Sequence, residues 1–245
     1  MLNVGRRSVI GQIGALRTLR HFSCTPKWTE KSQPNPNESI DKRSQILADG
    51  LKLVPDHGFD FALTLALRQH GYSDASRNLF PNGAHDLIQY HLNNEKDALS
   101  SVSLTDNATF MQNTQALVLH RLMANKIFGA PSRLSEALAI MTLPNNIAGS
   151  LNSLQELSDE IAWLAGDKST DFSWYTRRAA ISTLYACSEV FQSQDSSKDY
   201  SDTTKFLSDR IGEIDRLNYA GDSVVEWIKF NTVASMNVLK SLTRG

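Results

Sequence analysis

The sequence predicts an all-α bundle of about nine to ten helices, and two features of the chain predict it. No proline follows Pro144, and apolar residues recur there at helical spacing, as in Leu151, Leu154, Leu157, Ile161 and Leu164. Upstream, helical runs are separated by Pro55, Pro81, Pro131 and Pro144 instead of by the two-residue turns of hairpins. A chain of 245 residues with 41% hydrophobic and 21% charged content has ample material for a core and describes an ordinary globular protein. Its two cysteines, Cys24 and Cys187, form neither a disulfide framework nor a metal knuckle.

Residues 1–29 differ from the rest. They hold Arg6, Arg7, Arg17, Arg20 and Lys27 among scattered Ser and Thr, and the first acidic residue is Glu30. This is the composition of a mitochondrial transit peptide, read here as residues 1–22 with cleavage before Ser23; the alternative is a basic arm that touches nucleic acid. Without that segment the chain is mildly acidic. Residues 23–38, with Pro34 and Pro36, read as a flexible linker, and 39–216 as the helical domain.

The first helix gathers Ile40, Ile46, Leu47, Leu51 and Val54 and should stop at Pro55. A second runs from Phe59 and closes on Gly71; Ser73 opens a short one carrying Leu79 and Phe80. After the Pro81-Asn82-Gly83 turn, Ala84 starts a longer helix with Leu87, Ile88, His91 and Leu92. This order resembles the N-terminal half of a TetR-type repressor, helix-turn-helix included. The chemistry of DNA binding is missing, because between Asp56 and Leu92 only Arg68 and Arg77 stand against Asp56, Asp60, Asp74 and Asp86. Such a unit has no electrostatic basis for holding phosphates, so no nucleic-acid partner is expected. Two further runs carry Leu117, Leu119, Leu122 and Met123, then Leu134, Leu138 and Met141.

The most informative stretch opens at Gly166. Ser169, Thr170 and Asp171 are N-cap residues, and no Gly or Pro interrupts a helix from Phe172 to Phe191. On a helical wheel Phe172, Thr176, Ala179, Ala180, Thr183, Ala186, Cys187 and Val190 share one face, while Trp174, Ile181 and Tyr185 lie nearly opposite, beside Arg178 and Glu189. Two readings fit: a central helix covered on both sides, or a helix with an aromatic–Arg contact patch of the kind that dominates binding hot spots.

The last helix, expected over 222–244, gathers Val224, Val225, Trp227, Ile228, Val238, Leu239 and Leu242 in one apolar arc, with Glu226, Lys229, Asn237, Lys240 and Arg244 opposite and Val233 misplaced among them. A helix lying in a membrane interface has this pattern, and so does a terminal helix docked on the bundle. Catalytic motifs are absent from the sequence: no His-Glu-x-x-His, no Gly-rich phosphate loop, no nucleophile elbow, no Cys-x-x-Cys and no Glu-x-x-His pair of a di-iron bundle. His57, His70, His85, His91 and His120 are scattered and read as caps or core-edge residues. The chain is therefore expected to be no enzyme, with no metal and no cofactor.

The block Ser169-Thr170-Asp171-Phe172-Ser173-Trp174-Tyr175-Thr176-Arg177-Arg178 resembles that of the ninth of the Coq (coenzyme Q biosynthesis) proteins. So do the Leu143-Pro144-Asn145-Asn146-Ile147 turn, the Trp163 to Asp167 segment, and Gln194-Asp195-Ser196-Ser197 with Asp202, Thr203, Phe206, Leu207 and Arg210 after it. The resemblance implies a TetR-like, non-catalytic homodimer that binds the isoprenoid of a coenzyme Q intermediate. It implies a partner, the di-iron demethoxyubiquinone hydroxylase, with other members of the biosynthetic complex. The partner-binding patch it implies falls on Asp171, Trp174 and Tyr175, with Arg178 one turn on. It also favours a membrane role for the last helix, through Val224, Val225, Trp227, Ile228, Leu239 and Leu242 on inner-membrane phospholipid, on the matrix side of the mitochondrial inner membrane. The rival readings are a lipid-independent scaffold and, on fold analogy alone, a DNA-binding regulator.

Overall fold

The computed structural model describes residues 36–105, 108–169, 173–217 and 221–244, and the stretch read as a transit peptide lies outside them. Within them the chain is all-α. Its helices are α1 (Pro36–His57), α2 (Phe59–Gln69), α3 (Ala84–Ala98), α4 (Phe110–Ala124), α5 (Pro131–Met141), α6 (Ile147–Leu164), α7 (Ser173–Gln192), α8 (Ser201–Leu217) and α9 (Gly221–Arg244), with short 3-10 turns between some of them. Helix α1 already begins at Pro36, inside the stretch read as linker.

Turn chemistry sets most of the boundaries. Pro55 lies inside the last turn of α1 instead of ending it, since a proline so near the end removes only one backbone hydrogen bond. The helix stops two residues later, at His57, and is followed by Gly58, whose φ of 74° favours glycine. Helix α2 ends as expected on Gly71: the Tyr72 amide reaches back to the Leu67 carbonyl at 2.9 Å, satisfying a carbonyl the helix would leave open. Thr109 and Gln112 form a reciprocal capping box at the start of α4. Asp195 fixes the start of α8 by accepting from the Ser197 amide at 2.8 Å, the Thr203 amide at 2.9 Å and the Thr203 hydroxyl at 2.6 Å.

Two hydrophobic clusters follow. One unites α1, α2, α3 and α5 through Ile46, Leu51, Val54, Phe59, Leu63, Leu67 and Leu87. The other unites α4, α6, α7, α8 and α9 through Leu117, Leu122, Leu157, Ile161, Leu184, Leu207 and Trp227. Between Asp56 and Leu92 both arginines are committed to carboxylates. Arg68 holds Asp74 with two bonds of 2.9 and 2.7 Å, and Arg77 meets Asp60 at 3.2 Å.

Helix α7 is covered on both faces over most of its length. Ala180, Thr183, Cys187 and Val190 are buried on the face the wheel marked as core, and Ile181, Tyr185 and Glu189 are buried on the other. Its first two turns are open, and Phe191 in its last turn is exposed as well.

Candidate functional site

The open end of α7 is built by the end of α6. Gly166, at φ 92°, lets the chain turn out of α6 with the Asp167 amide bonded to the Ala162 carbonyl at 2.9 Å. That turn sets the Asp167 carboxylate, itself enclosed, between two arginines of α7: Arg177 donates to it at 2.6 Å and Arg178 at 2.8 Å. The Ser169 amide and hydroxyl complete its shell at 3.1 and 2.8 Å. Arg178 also donates to Asp159 of α6 at 2.6 Å and is only 13% exposed. So held, its guanidinium stacks over the Trp174 ring, 3.8 Å from the centroid. Trp174 is half-buried and meets Tyr175 edge-on at 4.8 Å, while Tyr175 is 66% exposed. Trp163, on α6 one turn beyond Asp159, is 72% exposed; it was not singled out as a contact residue from the sequence. Asp171 lies outside the described residues.

Burial alone would raise the Asp167 carboxyl, but the Ser169 hydrogen bonds and those of Arg178 and Arg177 outweigh it and hold its pKa down to about 2. A carboxylate depressed from 3.8 stabilises the fold at pH values above its unfolded pKa, and that stability is lost as pH falls toward about 2. The shift corresponds to roughly 2–3 kcal/mol at neutral pH. Asp167→Asn should lose about that much in urea unfolding at neutral pH, with the difference from the parent shrinking below about pH 4.

A second feature lies further along α7. Between α3, α4, α5, α6, α7 and α9 lies a cavity of about 350 Å³. Its walls are mainly apolar, among them Leu138, Leu154, Leu157, Val190 and Leu239, and its polar lining includes the buried Arg121, Tyr185 and Glu189. Ile147, Leu151 and Met236 line it and are also exposed, so its apolar wall reaches the surface. Ser182, the first lining residue on α7, is about 12 Å along the helix from Trp174. The cavity and the aromatic patch are therefore two stations on one helix.

Helix α9 closes the cavity's outer side and packs on α5, α7 and α8. Trp227 is buried in the second cluster, with its indole N–H donating to Glu213 at 3.2 Å; Ile228 packs partly buried beside it. Asn231 is buried, and Ser235 donates its hydroxyl to the Cys187 sulfur of α7 at 3.1 Å. Of the residues read as membrane-facing, then, Trp227 and Ile228 face the bundle and Leu239 lines the cavity. The side chains of Val224, Val225 and Leu242 lie outside the described part. The apolar side chains that α9 turns outward are instead Phe230 at 72%, Val233 at 62% and Met236 at 48% exposure, with Lys229 and Lys240 also exposed. A terminal amphipathic helix buries its broadest apolar arc against whatever apolar surface is nearest, here α7 and α8.

A family model described as COQ9 matches residues 147–218, the segment from the start of α6 to the end of α8. The chain is 40% identical over 203 residues to the ubiquinone biosynthesis protein coq9, mitochondrial, of Schizosaccharomyces pombe, covering 82% of this chain and 80% of that one. The chain belongs to the COQ9 family. Proteins of the same name from Rattus norvegicus and Homo sapiens are each 30% identical, over 81% of this chain and 68% and 66% of theirs. The COQ9-family match thus spans the α6–α7 corner, the aromatic patch and one wall of the cavity. Buried Arg121 and Asn125 were not singled out from the sequence. A signal was there, since Arg121 falls four residues after Leu117 and three after Val118, on the core face of α4.

Proposed function

We propose that the protein is a non-catalytic lipid-binding accessory of ubiquinone biosynthesis in mitochondria. It takes a polyprenyl quinone precursor from the inner membrane, on the matrix side, and presents it to the di-iron demethoxyubiquinone hydroxylase. The pathway and the organelle rest on the names of its COQ9 relatives, and the partner on the resemblance of the Ser169–Arg178 block. The observation that carries the carrier reading is the mainly apolar cavity of about 350 Å³ whose wall reaches the surface at Ile147, Leu151 and Met236. That volume is in the range of ligand pockets and suits a quinone head with part of its tail. A carrier is needed on physical grounds. Each CH₂ of a prenyl tail leaving the bilayer loses about 0.8 kcal/mol unless another apolar container receives it.

The outward face of α9, with Phe230 and Val233 beside Lys229, supplies apolar and basic contacts for the membrane surface in this reading. The stacked Trp174, with Tyr175, supplies the hydroxylase contact, and the working unit is a homodimer. No described helix is long and apolar enough to cross a membrane, so attachment is peripheral to that extent.

Mass spectrometry of organic extracts from the purified, folded protein tests the reading. An isoprenoid lipid near one per chain is expected, and Ala186→Trp, which fills the cavity from α7, should empty it. Folded protein that carries no lipid, and takes none up from vesicles after delipidation, would be a scaffold instead.

A further inference from the structure

The cavity has a polar end that an apolar tail does not explain. Arg121 is the largest fully buried side chain of the described residues, at 0% exposure. One of its nitrogens is used: Nη1 donates to the Asn125 side-chain oxygen at 2.9 Å. Nε and Nη2 are enclosed and have no partner. The guanidinium lies 5.8 Å from the Tyr185 ring centroid, and Arg121 and Tyr185 both line the cavity. An unsatisfied buried donor is costly, more so on a charged group, and native proteins rarely keep one without a use.

The neighbouring groups define what those donors can serve. Glu189, also buried, accepts from the Tyr185 hydroxyl at 2.7 Å and from the Asn125 amide at 3.2 Å, so Asn125 bridges the Arg121 cation to a carboxylate. His91, which meets the same Asn125 oxygen at 3.3 Å, is held neutral by burial. Lys96, the other cation on the wall, is already 2.6 Å from Glu156. The polar end therefore offers vacant N–H donors without a net positive charge. A phosphate or carboxylate would bring a buried charge with nothing left to balance it. Uncharged oxygens match instead, and the fixed fork of Nε and Nη2 suits two of them side by side.

We infer that the inner end of the cavity is a seat for the oxygenated ring of the ligand, which enters head first and is held by Arg121 through Nε and Nη2. The inference rests on the lipid-carrier reading and sharpens it. The tail then points toward Ile147, Leu151 and Met236, and the ring is the last part of the molecule to leave.

Binding by the delipidated full-length protein tests this with three probes: a farnesylated dimethoxybenzoquinone, a saturated farnesane hydrocarbon, and farnesyl phosphate. The wild type should bind the quinone at least about tenfold tighter than the hydrocarbon, the scale of hydrogen bonds to a charged donor, and tighter than the phosphate. Arg121→Met should bind quinone and hydrocarbon alike; it also leaves the buried Glu189 carboxylate without its counter-cation, so its melting temperature should fall and binding is compared on the folded protein. Should that variant not fold, Arg121→Lys, which keeps the charge but not the fork, decides with the same probes and should lose most of the quinone preference. A quinone preference that survives Arg121 substitution, or phosphate as the best ligand, overturns the inference and leaves the carrier reading standing. A wild type that binds none of the probes removes the carrier reading and the inference with it.

Discussion

Replacing Trp174 by alanine should weaken binding to the hydroxylase by at least about 2 kcal/mol, roughly 30-fold, while changing stability little. The geometry separates the two effects. Trp174 is half-buried at the open end of α7, outside both hydrophobic clusters, so its removal leaves no sealed void. What the chain loses is the stack on Arg178 and the edge contact with Tyr175, together about 1 kcal/mol. Emptying a buried aromatic site costs about 3–5 kcal/mol. The partner, by contrast, loses a rigid anchor. Arg178 is tied to Asp159 and Asp167, so the ring is held in place before any partner arrives and little entropy is lost on docking. Trp174→Phe should recover part of the affinity, and Tyr175→Ala should behave like Trp174→Ala in milder form. Thermal melts and pull-downs on the same preparations decide it. If Trp174→Ala melts far below the parent yet still captures the hydroxylase, Trp174 is a packing residue and the contact lies elsewhere, with exposed Trp163 the first place to look.

Much of this architecture was legible because turn chemistry is local. Gly71 reads as a cap from its own chemistry, and the Leu143–Ile147 and Gln194–Ser197 turns are read from the family resemblance; each satisfies backbone groups within a few residues and marks a helix end in the structure. The two-faced wheel of α7 was legible too, although sequence could not choose between a covered helix and a contact patch. The structure covers Ile181 and Tyr185 and leaves Trp174 and Tyr175 clear of the clusters, so the covered-helix reading fits the later turns and the first turns stay open. The last helix was harder. Its wheel gives an apolar arc as a set of positions, but a wheel does not say what covers an arc, and here Trp227 and Ile228 pack on the bundle. Val233, which fitted neither reading of the wheel, turns out to be among the side chains that α9 exposes. Arg121 escaped notice for a simpler reason. Charged residues are almost never fully buried, so an arginine is read as surface unless its register within the apolar stripe is weighed against its type.

The polar cluster beneath the cavity should also govern the response to acid. His91 is buried at 2% exposure, packs edge-on against Phe128 at 4.8 Å, and shares the Asn125 side-chain oxygen with Arg121, at 3.3 Å. Burial first, and the nearby Arg121 charge second, lower its pKa from 6.5 to about 3. In the unfolded chain the imidazole takes a proton near its ordinary pKa, so between these two values the unfolded state binds the extra proton. Stability is then complete above about pH 6.5, falls by about 1.4 kcal/mol per unit as the pH drops, and levels off near 3, a loss of roughly 5 kcal/mol in all. That is comparable to the whole stability of a marginal domain. Urea unfolding in steps from neutral pH to about pH 4, on wild type and His91→Gln, isolates this residue from the others. The variant should be weaker at neutral pH, where it leaves a gap beside Phe128, and should lose less on acidification, so the two curves converge. Parallel curves would mean that His91 carries its proton inside the fold and that Arg121 has a neighbouring cation to contend with. Convergence would mean that the group beneath the cavity is neutral, as an uncharged ring seated on Arg121 requires.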